Sequence, residues 1–166
     1  MNEFVQGVHL QGDRRDFLDT CGTGGAPKTF NVSTAAGIVL AASGVKVAKH
    51  GNRSRTGRGS AEVLESLGIN IHASEKQQQA SFEEENICFC FAPNHHKAVA
   101  CVMPVRKQLG FPTIFNLLGP LSNPCNAKRQ LLGVWDNKYV LPMAEALLLA
   151  KHCCTQFSTT LLTLYY

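Results

Sequence analysis

The chain has 166 residues, of which 45% are hydrophobic and 17% charged. That length and apolar fraction suit one domain with a buried core, exclude a disordered chain, and leave no room for two full domains. The longest apolar candidate, Ala144 to Ala150, is far too short to span a membrane, and Met1–Phe4 opens no secretory signal, so a cytoplasmic protein with reduced thiols at its 7 cysteines is expected.

The net charge of +4 hides a segregated pattern. No acid occurs from Thr20 to Ala61, a stretch that carries Lys28, Lys46, Lys49, Arg53, Arg55 and Arg58. A second acid-free stretch, Asn86 to Trp135, carries Lys97, Arg106, Lys107, Lys128 and Arg129. An anionic partner fits this pattern, and a phosphorylated small molecule, a nucleic acid or a membrane surface would each satisfy it.

In chain order, Asp16–Thr20 reads as a short strand that ends at Gly22-Thr23-Gly24-Gly25. Ser33–Ala42 is Ala-rich and predicts a helix, with Ser33 or Asn31 as its cap and Gly44 as its stop. Val45–Ala48 is β-branched and predicts a strand; Ser60 caps a helix to Leu67, closed by Gly68; Ile69–Ile71 predicts another short strand. Ser74-Glu75-Lys76-Gln77 matches a capping box and opens a helix to about Glu85. Ile87–Phe91 is a continuous apolar run, as in a strand buried on both faces. A loop at Ala92–His96, a helical stretch from His96 to Leu109 broken or kinked at Pro104, and a loop from Asn116 to Cys125 follow. Gln130–Val134 predicts a strand and Val140–His152 a helix. Alternation of this kind implies an α/β fold, a parallel sheet with helices on both faces, whose ligands sit at the carboxyl ends of the strands.

Three constellations could line that rim. The glycine run, with Asn31, Ser33 and Thr34 after it, can form an amide nest for an anion at a helix start, although an ordinary glycine turn before a capped helix gives the same string. It is neither a Walker loop nor a dinucleotide fingerprint. Lys49-His50-Gly51-Asn52-Arg53, continuing through Arg58 to Ser60, mixes cations, glycines and hydroxyls without an acid, and this mixture favours oxyanion binding over a solvated basic loop. Ala92-Pro93-Asn94-His95-His96, beside Cys88 and Cys90, invites a metal reading. The spacing matches no common zinc framework, so one buried and one exposed histidine is the plainer expectation. Phe115–Pro124 reads as a rigid connection that could also shape a pocket wall.

Together, DTCGTGG, FNVSTAAG, VAKHGNRS, GSAEVLESLGI, FAPNHH, PVRKQLGFPTIFNLLGPLSNP and QLLGV closely resemble the anthranilate phosphoribosyltransferase family, in its order and near its spacing, over about Asp19 to Val134. The resemblance implies transfer of phosphoribosyl from 5-phosphoribosyl 1-diphosphate to anthranilate in tryptophan biosynthesis, with Mg2+ as cofactor and pyrophosphate as product. It implies that Gly22, Thr23, Gly24, Gly25, Asn31, Ser33, Thr34, Lys49 and Arg53 hold the diphosphate donor, and that Ser33 also contacts the metal. It implies that Gly22, His50, Asn52, His96, Arg106 and Pro120 face anthranilate, Arg106 against its carboxylate. No acid–base or nucleophilic side chain is demanded, because leaving-group departure and charge stabilisation dominate such a transfer.

The chain departs from the family at Ala26, where an Asp is usual, and in a loop between Arg53 and Gly59 that is one residue shorter; Arg55, Thr56 and Arg58 stand there instead of a serine pair. Residues 1–152 are expected to be a partial catalytic domain lacking most of the family's helical domain, on which its homodimer largely rests, and residues 153–166 an atypical tail. Thr159–Tyr166 could supply a substitute strand there. The family's Asp-Glu magnesium pair has no counterpart, so little or no turnover is expected from this chain. A pyrimidine nucleoside phosphorylase is the enzyme alternative, disfavoured by KHGNR and FNLLGPLSNP. A non-catalytic nucleic-acid binder ranks behind it for want of a recognised motif.

Overall fold

The computed structural model describes residues 5–24, 30–54, 57–100, 102–109, 111, 113–150 and 154–159. Five strands, β1 (Leu18–Gly22), β2 (Val47–Gly51), β3 (Ile87–Phe91), β4 (Arg129–Val134) and β5 (Cys154–Thr159), form one parallel sheet in the order β3-β2-β1-β4-β5. The helices are α1 (Val32–Ala42), α2 (Ser60–Ser66), α3 (Glu75–Glu84), α4 (Ala92–His95), α5 (Lys97–Ala100), α6 (Met103–Leu109), α7 (Ile114–Leu118) and α8 (Val140–Leu149). Among the described residues no helix is long and apolar enough to cross a membrane.

Strand period and register place helices on both faces of the sheet. Phe89 and Phe91 point to one face and pack with Ala61 and Leu64 of α2 and with Ile71. On the same face α1 covers β1 and β2 so closely that a Cβ on Gly37 would lie 2.8 Å from the Thr20 hydroxyl. The opposite face carries Ala48, Cys88 and Cys90, which pack with Phe82 of α3, Val8, Phe17, Cys125 and Ala127. Cys21, Leu132 and Val134 on that face meet Met143 and Leu147 of α8. The chain runs outward from β1 to β2 and β3, then returns to place β4 on the other side of β1. The crevice at the carboxyl ends of β1 and β4 is therefore the topological switch point, where such sheets take ligands.

Several boundaries differ from the sequence expectation, each for a local reason. The strand expected at Val45 begins at Val47, because the Val45 amide donates to the Leu40 carbonyl (3.0 Å) in closing α1 after Gly44, whose φ is +88°. Ile69–Ile71 is no strand: Ile69 closes α2 onto Leu64 (2.9 Å), and Ile71 drops into the core from a turn. Ser60 is the first helical residue of α2 and not its cap; Gly59 holds that place, and Glu62 Oε2 accepts its amide (2.9 Å). The expected loop at Ala92–His96 contains the helical turn α4, which Pro93 initiates. Pro104 stands in the first turn of α6, so it starts a second helix where an amide is dispensable and does not kink a single one. Asn116–Cys125 is partly helical, with α7 followed by a 3-10 turn at Gly119–Leu121. The helix over Val140–His152 is described to Leu149. The added strand lies at Cys154–Thr159, while 160–166 fall outside the described residues.

The capping box at Ser74 is present, with the Ser74 amide on Gln77 Oε1 (2.9 Å) and the Gln77 amide on Ser74 Oγ (3.4 Å). Farther along α3, Phe82 is 1% exposed and meets Phe17 edge-on at 4.8 Å between centroids. Phe82→Ala should cost about 3–5 kcal/mol, read from the urea midpoint, because it opens a cavity at the centre of this layer. A loss below about 1 kcal/mol would show that α3 is not anchored through this ring.

Candidate functional site

The residues at the rim are positioned by Asp19, which is buried in the middle of β1. Its Oδ1 accepts the His50 amide (3.0 Å), and Gln130 Nε2 reaches its Oδ2 (3.4 Å). Burial raises the carboxyl pKa, opposed by a bond from Asn123, the Lys49 charge, the His50 amide and Gln130. Asn123 Nδ2 also donates to the Ala48 carbonyl (2.8 Å), and Gln130 Nε2 to the Pro120 carbonyl (2.7 Å). One acid thus ties β1, β2 and β4 to the segment that follows α7. Sequence reading quoted Asp19 without giving it a role and missed Gln130 and Asn123; the signal is their polar character among apolar strand and loop neighbours.

His50 and His96 come together. Their Nε2 atoms are 3.1 Å apart, and His50 Nδ1 lies 3.2 Å from the Gly119 carbonyl. That carbonyl can only accept, so His50 carries its proton on Nδ1 and presents a bare Nε2 to His96. Burial, helped by the His96 charge, pulls the His50 pKa down to about 3; burial and the His95 charge also lower that of His96. Both rings are therefore neutral near pH 7. His95 and His96 are both buried, which corrects the expectation of one exposed: His95 Nδ1 donates to the Gln6 carbonyl (3.0 Å), and its Nε2 accepts from Gln78 Nε2 (3.4 Å). Pro120 is buried beside this pair, in the turn that supplies the Gly119 carbonyl.

On the opposite face, Lys49 is buried under α1 with its ammonium donating to the Thr20 carbonyl. Gly22 ends β1 opposite Gly133, whose carbonyl would lie 3.3 Å from a Cβ on Gly22. The Thr23 amide is spent on that same carbonyl (2.9 Å), so this amide is not one of the nest expected for an anion. Gly24 turns the chain at φ +68°, and Asn116 Nδ2 holds the Thr23 carbonyl (3.1 Å), a link that sequence reading did not foresee. Asn31 occupies the cap position of α1 with no side-chain capping bond; Ser33 is half-buried in the first turn; the Thr34 hydroxyl is buried with no partner among the described residues. Asn31 and Arg58 line a common cleft of about 280 Å³ with Phe30, Gly57, Glu62, Val63 and Ser66.

Arg53 turns away from Lys49. Its guanidinium meets Glu65 Oε1 at 2.6 Å and lies 5.7 Å from the Phe91 ring, while its amide donates to Asn52 Oδ1 (2.7 Å). Arg106 falls on α6 with its side chain outside the described residues, as are Gly25, Arg55 and Thr56.

A histidine neutral in the fold and protonated when unfolded makes stability fall with acid. The unfolded chain binds the extra proton below pH about 6.5, and the native state follows only near pH about 3. The contribution is full above 6.5 and is lost as pH falls towards 3, at up to about 1.4 kcal/mol per unit. His50→Gln should flatten the urea midpoint against pH between 6.5 and 4; an unchanged slope would place the titration elsewhere.

The sequence matches the family described as "Glycosyl transferase family, a/b domain" over residues 14–158, which runs beyond Val134, where the recognised strings stop, into the tail. It is 55% identical over 134 residues to the anthranilate phosphoribosyltransferase of Caulobacter vibrioides, and 58% over 132 residues to that of Rubrobacter xylanophilus. These alignments cover 80% and 78% of this chain and 39% of each relative, so the chain spans about two-fifths of the relatives' length. Its fold is similar to the Thermus thermophilus anthranilate phosphoribosyltransferase (TM-score 0.82, 45% identity, covering 90% of this chain and 46% of that one). It is also similar to the Saccharomyces cerevisiae enzyme in complex with PRPP and Mg (TM-score 0.77, 31% identity, covering 92% and 43%). With its parallel sheet, its switch-point rim and a family match along most of its length, the chain belongs to the glycosyl transferase family, in the α/β domain.

Proposed function

We propose that this chain binds 5-phosphoribosyl 1-diphosphate and anthranilate, and carries that part of an anthranilate phosphoribosyltransferase which aligns them. In the transfer, the bond from ribose C1 to the diphosphate breaks, the amine nitrogen bonds C1, and the amine loses a proton. The observation that carries the reading is the shared rim: the carboxyl ends of β1 and β2 bring Gly22–Gly24, the first turn of α1 and Lys49–Asn52 to one edge of the sheet, beside the β1–β4 switch point.

Roles follow from chemistry. The Lys49 ammonium, buried below the rim, supplies a fixed positive field for the diphosphate, and the amino end of α1 adds its dipole. The neutral His50–His96 pair places no fixed cation against the positive charge that develops at C1. The Ser33 oxygen, followed by the Thr34 hydroxyl that has no partner among the described residues, would suit a magnesium ion that reaches the protein mainly through substrate phosphates. When bound, that ion neutralises charge on the departing diphosphate. Asn52 and Pro120, with Arg106 on α6, complete the anthranilate side of the proposal.

Calorimetry of the purified chain with phosphoribosyl diphosphate and magnesium tests it. Lys49→Met keeps the stem and removes the charge, and should weaken binding at least tenfold while the fold melts cooperatively. Unchanged affinity in a folded variant, or no uptake by the wild-type chain, would contradict the reading.

A further inference from the structure

Three thiols gather in the core beneath the rim, where Cys90 stands in register with His50. Cys88 and Cys90, two apart on β3, point to one face of the sheet, and Cys125 meets them from the turn that leads to β4. Their sulfurs lie within 4.8 Å of one another, and Cys90 Sγ is 3.3 Å from Cys125 Sγ. All three thiols are free and buried. The third comes from 35 residues beyond Cys90, so the sequence showed only a pair with no zinc spacing.

Around the sulfurs stand Val8, Phe17, Ala48, Phe82 and Ala127. Sulfurs bound at about 2.3 Å to one trigonal metal sit about 4 Å apart, a span this cluster brackets. Among the described residues no histidine or carboxylate joins the three sulfurs in the group, so the four-ligand shell that zinc prefers is not completed by such a side chain. Soft sulfur donors suit Cu(I), zinc and iron–sulfur clusters, and a set of three with no fourth side-chain ligand in the group favours Cu(I) among them.

We propose that Cys88, Cys90 and Cys125 form a three-sulfur site for Cu(I). Each sulfur that ligates as thiolate releases its proton to solvent, and copper keeps its oxidation state throughout. The ion would clamp β3 to the segment that carries Asn123 and the Gly119 carbonyl. Cys125 is already tied to that segment through its amide, which donates to Asn123 Oδ1 (2.8 Å). Occupancy would therefore stiffen the support of His50 without touching substrate.

The test titrates the reduced full chain under nitrogen with Cu(I) held by a chromogenic chelator, in a Cys153→Ser/Cys154→Ser background that removes the adjacent thiol pair. One equivalent should leave the chelator, and X-ray absorption should count three sulfurs around copper. Cys88→Ala, Cys90→Ala and Cys125→Ala should each weaken capture at least tenfold, and the rise in melting temperature with copper should vanish in each. The sulfur count on the parent chain needs no core variant to fold. No transfer, a two-sulfur shell, or capture that survives loss of any one of the three cysteines would overturn the site.

Discussion

A carboxylate buried inside a parallel sheet must be bonded on both oxygens, and the requirement of Asp19 organises the rim. Its acceptors fix the His50 amide and Gln130, and through Gln130 the Pro120 carbonyl. Since the Gly119 carbonyl next to it sets the His50 tautomer, one acid holds both the His50 backbone and the turn that orients its ring. Asp19 and Lys49 share the sheet from opposite faces: they act on each other through the field while each is bonded to other groups.

Glycine makes this geometry accessible. Gly37 lets α1 lie against Thr20 and Lys49, which brings the amino end of that helix to the end of β1. Gly22 and Gly133 face each other at the switch point, where a Cβ on Gly22 would press on the Gly133 carbonyl at 3.3 Å. The distinction between the expected amide nest and the observed loop is instructive. The Thr23 amide completes the β1–β4 ladder, so anion binding at this turn would rest on the groups after it and on the neighbouring helix start.

Local pattern carried much of the fold. The apolar run of β3, the capping box of α3 and the Ala-rich α1 are written in contiguous residues, and their elements stand where the sequence placed them. Val45 and Ile69 were misread because each is β-branched yet serves to close a helix, and the closing bond outweighs strand propensity. Asn116–Cys125 reads as loop from its Gly, Pro and Asn content, although its first residues belong to α7 and Gly119–Leu121 forms a 3-10 turn. At the rim, Lys49, His50, Asn31 and Ser33 were legible as chemistry within motifs. The bonds of Asp19 were not, because its partners lie 31 and 111 residues away. Charge segregation along the chain misled at Arg53, whose partner Glu65 follows the acid-free stretch by one helical turn; the pair is exposed and screened, so it orients the guanidinium more than it stabilises the fold.

The account stands on the rim at the carboxyl ends of β1 and β2 being where a phosphorylated sugar docks. Backbone NMR of the labelled chain, titrated with phosphoribosyl diphosphate and magnesium, addresses this most directly. The account predicts that the largest amide shifts fall at Thr23 and Gly24, at Asn31–Thr34 and at Lys49–Asn52. Shifts centred instead on α3 or α8, with those amides unmoved, would contradict it.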